Sequence, residues 1–269
     1  MSVLVALGFV APLVLFYVFV IKGADRYEPE PGWLLLLCFL WGAVVATAVA
    51  MVGNAMGHSA VALALHGSGG DELVEASTAS FVAPLVEESS KGAGLLLLWA
   101  LSAMWLDELD GPLDGAIYGG LIGLGFTLTE DVLYVARAAT ESGVGGMLAT
   151  WTLRTAMAGL GHASFTAMTG LGVGIAATEV RGALGRLVAP VLGWSCAVAL
   201  HFAHNFLVTF LFAGGLGLVL KLVGFWCFDA LFFLLILGLA LRDRALVARW
   251  LADEVGHAPR HEFVIDLRH

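Results

Sequence analysis

Long apolar segments follow one another along almost the whole chain, and each could cross a lipid bilayer as a helix. Spanning about 30 Å of hydrocarbon takes roughly 20 largely apolar residues. We therefore predict an all-α, polytopic membrane bundle over residues 1–241, followed by a polar tail over residues 242–269. The seven predicted spans are Val3–Ile21, Trp33–Gly53 with a helical extension to Leu65, Phe81–Leu106, Asp114–Val135, Met147–Ala177, Leu187–Ala213 and Leu216–Leu241.

The composition supports insertion in a lipid bilayer. The 269 residues are 59% hydrophobic and 13% charged, whereas about 25% of the residues of soluble domains are charged. The net charge of −9 disfavours nucleic acid as a partner. The three cysteines all lie in apolar segments without CxxC spacing, so we interpret them as packing residues.

The distribution of basic residues predicts the orientation in the membrane, because short loops rich in Lys and Arg stay in the cytoplasm. Basic residues follow the first span, separate the fifth from the sixth, and follow the seventh. Seven spans place these three segments on one side. We expect an outer N-terminus, an outer acidic loop over residues 66–80, and a cytoplasmic C-terminal tail.

Two adjacent acids, Glu87 and Glu88, lie inside an apolar segment with Lys91 one helical turn further on. A charged side chain at membrane depth costs roughly 2.5–3.5 kcal/mol on insertion scales. Three such residues within five positions need polar partners from other helices. Lys91 has the spacing to neutralise one carboxylate, which leaves the other free as a base or a metal ligand.

Three further spans carry polar residues that need partners. Helical rise and the predicted topology place Glu87, Glu130, His162 and His201 in the outer half of the membrane, where they could meet. Residues three or four positions apart share a helix face. The polar residues are Asp114, Tyr118, Glu130, Asp131 and Tyr134 in the fourth span, Arg154, His162, Ser164 and Thr166 in the fifth, and His201, His204 and Asn205 in the sixth.

Carboxylates and imidazoles suit two kinds of hydrolytic site. Glutamate can act as a general base for water, and histidine as a base, an oxyanion donor or a metal ligand. The same residue types bind zinc, which in catalytic sites keeps one position for water. Asn205 could donate a hydrogen bond to a developing oxyanion or orient a neighbouring imidazole. Residue types alone leave the metal and metal-free mechanisms open.

Four ordered motifs stand out: PLVEESSKG from Pro84, DGAIYGGLIGLGFTLTEDVLY from Asp114, HASFTAMTG from His162 and HFAHN from His201. Together they resemble the PrsW family of intramembrane proteases, which is related to the CAAX-prenyl protease and bacteriocin-processing superfamily. The resemblance runs from Pro84 to Asn205. It implies an eight-helix or similar bundle, so we expect about seven to eight transmembrane helices.

The resemblance implies an intramembrane protease of a prokaryotic cell membrane that cleaves a membrane-spanning protein, such as an anti-sigma factor. Asp131 departs from the family pattern, which has Asn at that position. The implied catalytic residues are Glu87, Glu88, His162, His201 and Asn205; the implied supporting residues are Lys91, Asp114, Tyr118, Tyr134, Arg154 and His204; and the expected Zn²⁺ ligands are Glu88, Glu130, His162 and His201.

Several alternatives stay open at this point. Either Glu87 or Glu88 could be the base, and a metal-free glutamate mechanism could use His201 and Asn205 as the oxyanion donors. The sequence contains no HExxH motif, no rhomboid GxSG motif and no GxGD motif within an apolar span. A transporter with an intramembrane Glu/His relay or a non-catalytic binding protein would also bury such polar groups. A transporter would carry pseudo-repeated halves, and the sequence shows none.

Overall fold

A computed structural model describes residues 2–23, 29–65, 70–210 and 215–257. Within these ranges the chain forms α-helices, π-helical turns and short connections, which confirms the predicted all-α class. The predicted end of the sixth span and tail residues 258–269 lie outside these ranges. The α-helices are α1 (Ser2–Lys22), α2 (Gly32–Leu40), α3 (Thr47–Ala64), α4 (Asp71–Ser77), α5 (Ala83–Leu101), α6 (Pro112–Trp151), α7 (Gly161–Thr178), α8 (Ala183–Phe210) and α9 (Gly215–His257).

Four π-helical turns join or extend these helices. One links α2 to α3 into a continuous stretch, and another links α4 to α5. The predicted loop over residues 66–80 is therefore wrong in part, because residues 71–80 are helical. Asp71 and Glu72 lie in the first turn of α4, where acidic side chains favour a helix. The π-helical turns are Trp41–Ala46, Thr78–Val82, Ser102–Leu106 and Thr152–Ala156.

Five stretches of the described chain are long and apolar enough to cross a membrane: Val3–Lys22, Gly32–Ala64, Pro112–Thr178, Ala183–Phe210 and Val219–Asp253. The third has 67 residues, too many for one crossing, and contains both α6 and α7. Helix α5 falls outside this set, and it carries Glu87, Glu88 and Lys91 near its start. Separating α6 from α7 and adding α5 gives seven long helical rods in the described residues, in line with the predicted spans.

Helix α6 lies at the centre of the bundle, and its glycines allow α7 to pack directly against its backbone. A Cβ atom on Gly115 would lie 2.1 Å from the carbonyl oxygen of Gly170, and one on Gly123 would lie 2.3 Å from that of His162. The start of α6 thus meets the C-terminal half of α7, and a later point on α6 meets the start of α7, so the two helices run antiparallel. The glycine-rich face of α6 is therefore a close-packing surface between helices.

The fifth predicted span is interrupted before its histidine. Gly143, which lies before the predicted start of this span at Met147, has a φ of 64°, a backbone conformation that L side chains rarely adopt. It turns the chain near the end of α6. A π-helical turn and residues 157–160 then precede α7. His162 is consequently the second residue of α7, in register with Gly123 of α6.

Candidate active site

Four helices bring acidic, basic and imidazole side chains into one buried cluster. Helix α5 supplies Glu87, Glu88 and Lys91 from one face, because residues three and four positions apart align on a helix. Helix α6 supplies Glu130, α7 supplies His162, and α8 supplies His201. The predicted convergence of these residues is present in the structure.

Glu88 has both carboxylate oxygens occupied by hydrogen bonds. Its Oε1 atom accepts a bond of 2.7 Å from Lys91 Nζ and lies 2.9 Å from Nδ1 of His201. Its Oε2 atom accepts a bond of 2.9 Å from the hydroxyl of Thr166. The side chain is fully buried. Glu88 therefore holds its neighbours in place and has little capacity left to bind a further group.

Glu87 differs from Glu88 in having one oxygen without a hydrogen bond. Its Oε1 atom accepts a bond of 3.1 Å from the Asn54 amide. Its Oε2 atom is buried without a hydrogen-bond partner among the described residues. The nearest charged or imidazole atoms to Oε2 are Lys91 Nζ at 3.7 Å and His201 Nε2 at 3.9 Å. The cluster therefore leaves this carboxylate oxygen available for chemistry.

His162 bridges the acid pair of α5 to the acid of α6. Its Nδ1 atom lies 2.9 Å from Lys91 Nζ, and its Nε2 atom lies 2.9 Å from Glu130 Oε2. An ammonium group can only donate, so Nδ1 accepts from it. In this arrangement the Nε2–H group donates to the carboxylate. One ring nitrogen of each histidine thus forms a hydrogen bond with a glutamate. His162 bonds Glu130, and His201 bonds Glu88.

Arg154 neutralises the acids of α6 from the π-helical turn before α7. Its Nη2 atom lies 2.6 Å from Glu130 Oε2, and its Nε atom lies 3.0 Å from Asp131 Oδ1. The guanidinium also lies over the Tyr134 ring, 4.0 Å from the centroid. Asp131 accepts a second bond of 2.8 Å from the Thr155 hydroxyl. Asp131, the residue that departs from the family pattern, is therefore engaged by Arg154 and Thr155.

The cluster holds more negative than positive charge. Glu87, Glu88, Glu130 and Asp131 supply four carboxylates, and Lys91 and Arg154 supply two cations. Buried charges are costly unless they are paired. Two negative charges thus remain uncompensated when all four acids are ionised and both histidines are neutral. A divalent cation would balance them.

Some of the predicted site residues make their contacts elsewhere. The Asn205 amide donates to the carbonyl of Ala79 at 2.8 Å. His204 stacks on Phe225, with ring centroids 4.9 Å apart. Asp114 accepts a bond from the backbone N–H of Asp110 at 2.8 Å, and the Tyr118 hydroxyl donates to Glu30. Asp114 precedes Glu130 by 16 positions on one helix, which is about 24 Å along the axis. These contacts differ from the sequence-based prediction, which places all four residues at the same cluster.

Asn54 contacts the cluster although it is not among the predicted site residues. It lies in α3, and it donates to Glu87. The sequence feature that could have identified Asn54 is a polar amide between Gly53 and Gly57 in an otherwise apolar span. Thr166 was noted only as a polar residue of the fifth span, but its hydroxyl bonds Glu88.

One group of side chains in the described part of the chain has the arrangement of a metal site. Glu87, His162 and His201 each offer one ligand atom, and these atoms lie within 4.8 Å of one another. Two atoms bound about 2 Å from one ion lie at most about 4 Å apart, so small side-chain shifts would suffice. The Oε2 atom of Glu87, which accepts no hydrogen bond from the described residues, and two imidazoles oriented by carboxylates are a donor set that suits a divalent transition metal.

The fold and the cluster define a polytopic helical membrane protein with a buried glutamate and histidine site that fits a metal ion. Residues 30–236 match the family model described as PrsW family intramembrane metalloprotease. Because this match covers most of the chain, the protein belongs to that family, and it is a hydrolase that acts on membrane-embedded substrates. A comparison with curated proteins found no match, and a comparison with solved structures found none.

Proposed function

We propose that the protein cleaves peptide bonds of membrane-spanning proteins at a zinc site held by Glu87, His162 and His201. The observation that carries this proposal is the buried Oε2 atom of Glu87, which has no hydrogen-bond partner among the described residues and faces Nε2 of His201 at 3.9 Å. Glu88 and Glu130, which are among the ligands expected from the sequence, instead accept hydrogen bonds from the two histidines. We therefore assign to them the task of orienting the two imidazoles, as carboxylates beside metal-binding histidines do.

The chain's own residues prepare the site for hydrolysis. Glu88 fixes the His201 ring through Nδ1, and this leaves Nε2 directed towards Glu87. Glu130 fixes the His162 ring through Nε2. A bound zinc ion would polarise the scissile carbonyl and make an adjacent water more acidic. Glu130 is the most exposed acid of the cluster, with a side chain 19% exposed, so we assign it as the acceptor of the water proton.

Lys91 supports a second candidate mechanism, a metal-free glutamate protease. Its ammonium already lies within 2.9 Å of His162 Nδ1 and 3.7 Å of Glu87 Oε2, close to the atoms that would bind a metal. In that mechanism Glu87 would take the water proton, and His201 would stabilise the oxyanion. Asn205 could join His201 only after releasing the Ala79 carbonyl.

The substrate and the orientation are part of the proposal. A membrane-spanning regulatory protein, such as an anti-sigma factor, is the expected substrate class, and a prokaryotic cell membrane is the expected location. The basic residues that follow α1, α7 and the apolar part of α9 favour a cytoplasmic C-terminal tail. Arg242 pairs with Glu179, so two of these segments meet at one end of the bundle.

Cleavage of a reconstituted single-span substrate tests the proposal. Glu87→Gln keeps the shape of the side chain but removes its charge and basicity. Because the change removes a charged metal ligand, or the general base in the metal-free alternative, we expect cleavage to fall by about 10²–10⁴-fold. Glu141→Gln is the matched control, because Glu141 lies at an exposed ion pair with Arg137. Normal cleavage by Glu87→Gln would exclude the proposed role, and ion flux without cleavage would favour a transporter.

A further inference from the structure

Asn54 is an amide of α3 that reaches into the active-site cluster. Its Nδ2 atom donates to Glu87 Oε1 at 3.1 Å, which connects α3 to the acid pair of α5. Its Oδ1 atom is buried and has no hydrogen-bond partner among the residues that the structure describes. An ionised carboxylate can only accept hydrogen bonds, so the amide must present its NH₂ group to Glu87. The oxygen therefore points elsewhere.

Two glycines allow Asn54 to approach Glu87 so closely. A Cβ atom on Gly53 would lie 2.5 Å from Cγ1 of Val86, and one on Gly57 would lie 2.2 Å from Cγ1 of Val82. Helix α3 consequently packs closely against the start of α5 and the π-helical turn before it, through glycines one position before and three positions after the amide. The contact between Asn54 and Glu87 results from this helix crossing, which small residues make possible.

The hydrogen bond from Asn54 fixes the orientation of the Glu87 carboxylate. Because Oε1 is held by Asn54, the second oxygen faces Lys91 and His201. Without that bond the carboxylate could rotate and give Lys91 a closer ion pair, since Nζ lies only 3.7 Å from Oε2. A closer ion pair would occupy the oxygen on which the proposed chemistry depends.

We propose that Asn54 positions Glu87 and that its Oδ1 atom accepts a hydrogen bond from a backbone N–H group of the substrate. A peptide must leave its helical conformation before it can be cleaved, and the freed N–H groups need acceptors in a membrane. A buried acceptor left without a partner is unfavourable in a native protein, so a functional partner is a reason to retain it. This inference rests on the proposed proteolytic function, and it assigns a role to a residue outside the predicted site.

The test compares Asn54→Leu, which has a similar shape but no polar atoms, with Asn54→Gln, which retains the amide. Tyr17→Phe is the matched control, because it removes a different interhelical hydrogen bond, from Tyr17 to the Thr155 carbonyl. Each protein is reconstituted with a single-span substrate at varied mole fraction to separate kcat from KM. Zinc affinity is measured by competition with a chromogenic chelator, and thermal unfolding verifies folding.

We expect Asn54→Leu to lower kcat and zinc affinity by about 10–100-fold each, as for other groups that orient metal ligands. We also expect KM to rise, because the substrate acceptor is lost. Asn54→Gln should recover part of the kcat, and Tyr17→Phe should match the parent. Unchanged kcat and zinc affinity in a folded Asn54→Leu protein would overturn the positioning role. An unchanged KM would overturn the substrate contact.

The same data distinguish this inference from the metal assignment. If the parent binds no zinc but Asn54→Leu still lowers kcat, the zinc site is wrong and the positioning of Glu87 stands. If the parent binds zinc and cleaves the substrate while Asn54→Leu behaves like Tyr17→Phe, the metal assignment stands and the role of Asn54 is wrong.

Discussion

Nδ1 of His201 lies 2.9 Å from Oε1 of Glu88, while Nε2 of the same ring faces Oε2 of Glu87 at 3.9 Å. The two neighbouring glutamates therefore contact opposite nitrogens of one imidazole. A ring whose Nδ1–H group donates to a carboxylate presents Nε2 as a free lone pair. This arrangement separates an orienting glutamate, Glu88, from a reacting or ligating glutamate, Glu87.

Replacing Glu88 tests the orienting role. Glu88→Gln removes the negative charge that holds His201 and Lys91, so we expect zinc affinity to fall by about 10–100-fold. Isothermal titration calorimetry on the reconstituted protein measures this change. Glu141→Gln, at an exposed ion pair, should leave the affinity unchanged. Unaltered zinc binding by Glu88→Gln would show that Glu88 does not orient a ligand.

Lys91 compensates the buried negative charge of Glu87 and Glu88, and a bound metal ion would compensate part of the same charge. Lys91→Met leaves Glu88 without its ammonium partner, and breaking a buried ion pair typically costs about 3–5 kcal/mol. We expect a lower unfolding temperature without metal, and a larger upward shift on adding zinc than the parent shows. Thermal unfolding in detergent with and without zinc gives both values. Equal shifts in the two proteins would contradict competition between Lys91 and the metal.

Arg154 should be far more important for stability than Arg137. Arg137 is more exposed than Arg154 and pairs with a single exposed acid. Arg154 binds Glu130 and Asp131, whereas the Arg137–Glu141 pair has side chains 72% and 57% exposed. We expect Arg154→Met to lower the free energy of unfolding by about 3 kcal/mol. Arg137→Met should change it by less than about 1 kcal/mol. Equal losses measured by denaturant titration would contradict a structural role for the Arg154 contacts.

The close crossing of α6 and α7 should be sensitive to a single methyl group. A Cβ atom on Gly123 would lie 2.3 Å from the backbone carbonyl of His162, so Gly123→Ala must displace α7. We expect a loss of about 1–3 kcal/mol in stability and a clear loss of cleavage. Gly238→Ala in α9 is the control, because nothing lies within 4 Å of its added Cβ. Full activity of a stable Gly123→Ala protein would argue against this dependence.

Much of the site could be predicted because ionisable groups in apolar spans need partners. Glu87, Glu88, Glu130, His162 and His201 were selected for that reason, and they meet in the structure. The preference of Lys91 for Glu88 could not be predicted, because positions three and four residues away lie on the same helix face. The distances of 2.7 Å and 3.7 Å depend on tertiary packing.

Other features depend on contacts that a single sequence does not contain. Asp114 and Tyr118 share a helix with Glu130, yet one contacts Asp110 and the other Glu30, near the start of α6. Asn54 was missed because an amide carries no charge and so gives a weaker signal in an apolar span. Its role follows from the crossing of α3 and α5, which depends on the close approach at Gly53 and Gly57.

Metal analysis of the purified protein tests the central claim most directly. The parent is compared with Glu87→Ala, His162→Ala and His201→Ala, together with Glu141→Ala as a control from an exposed ion pair. Our account predicts about one equivalent of zinc in the parent and the control, and its loss in each of the three cluster variants. A parent that cleaves its substrate without bound metal, or folded variants that all retain zinc, would contradict a metal centre at Glu87, His162 and His201.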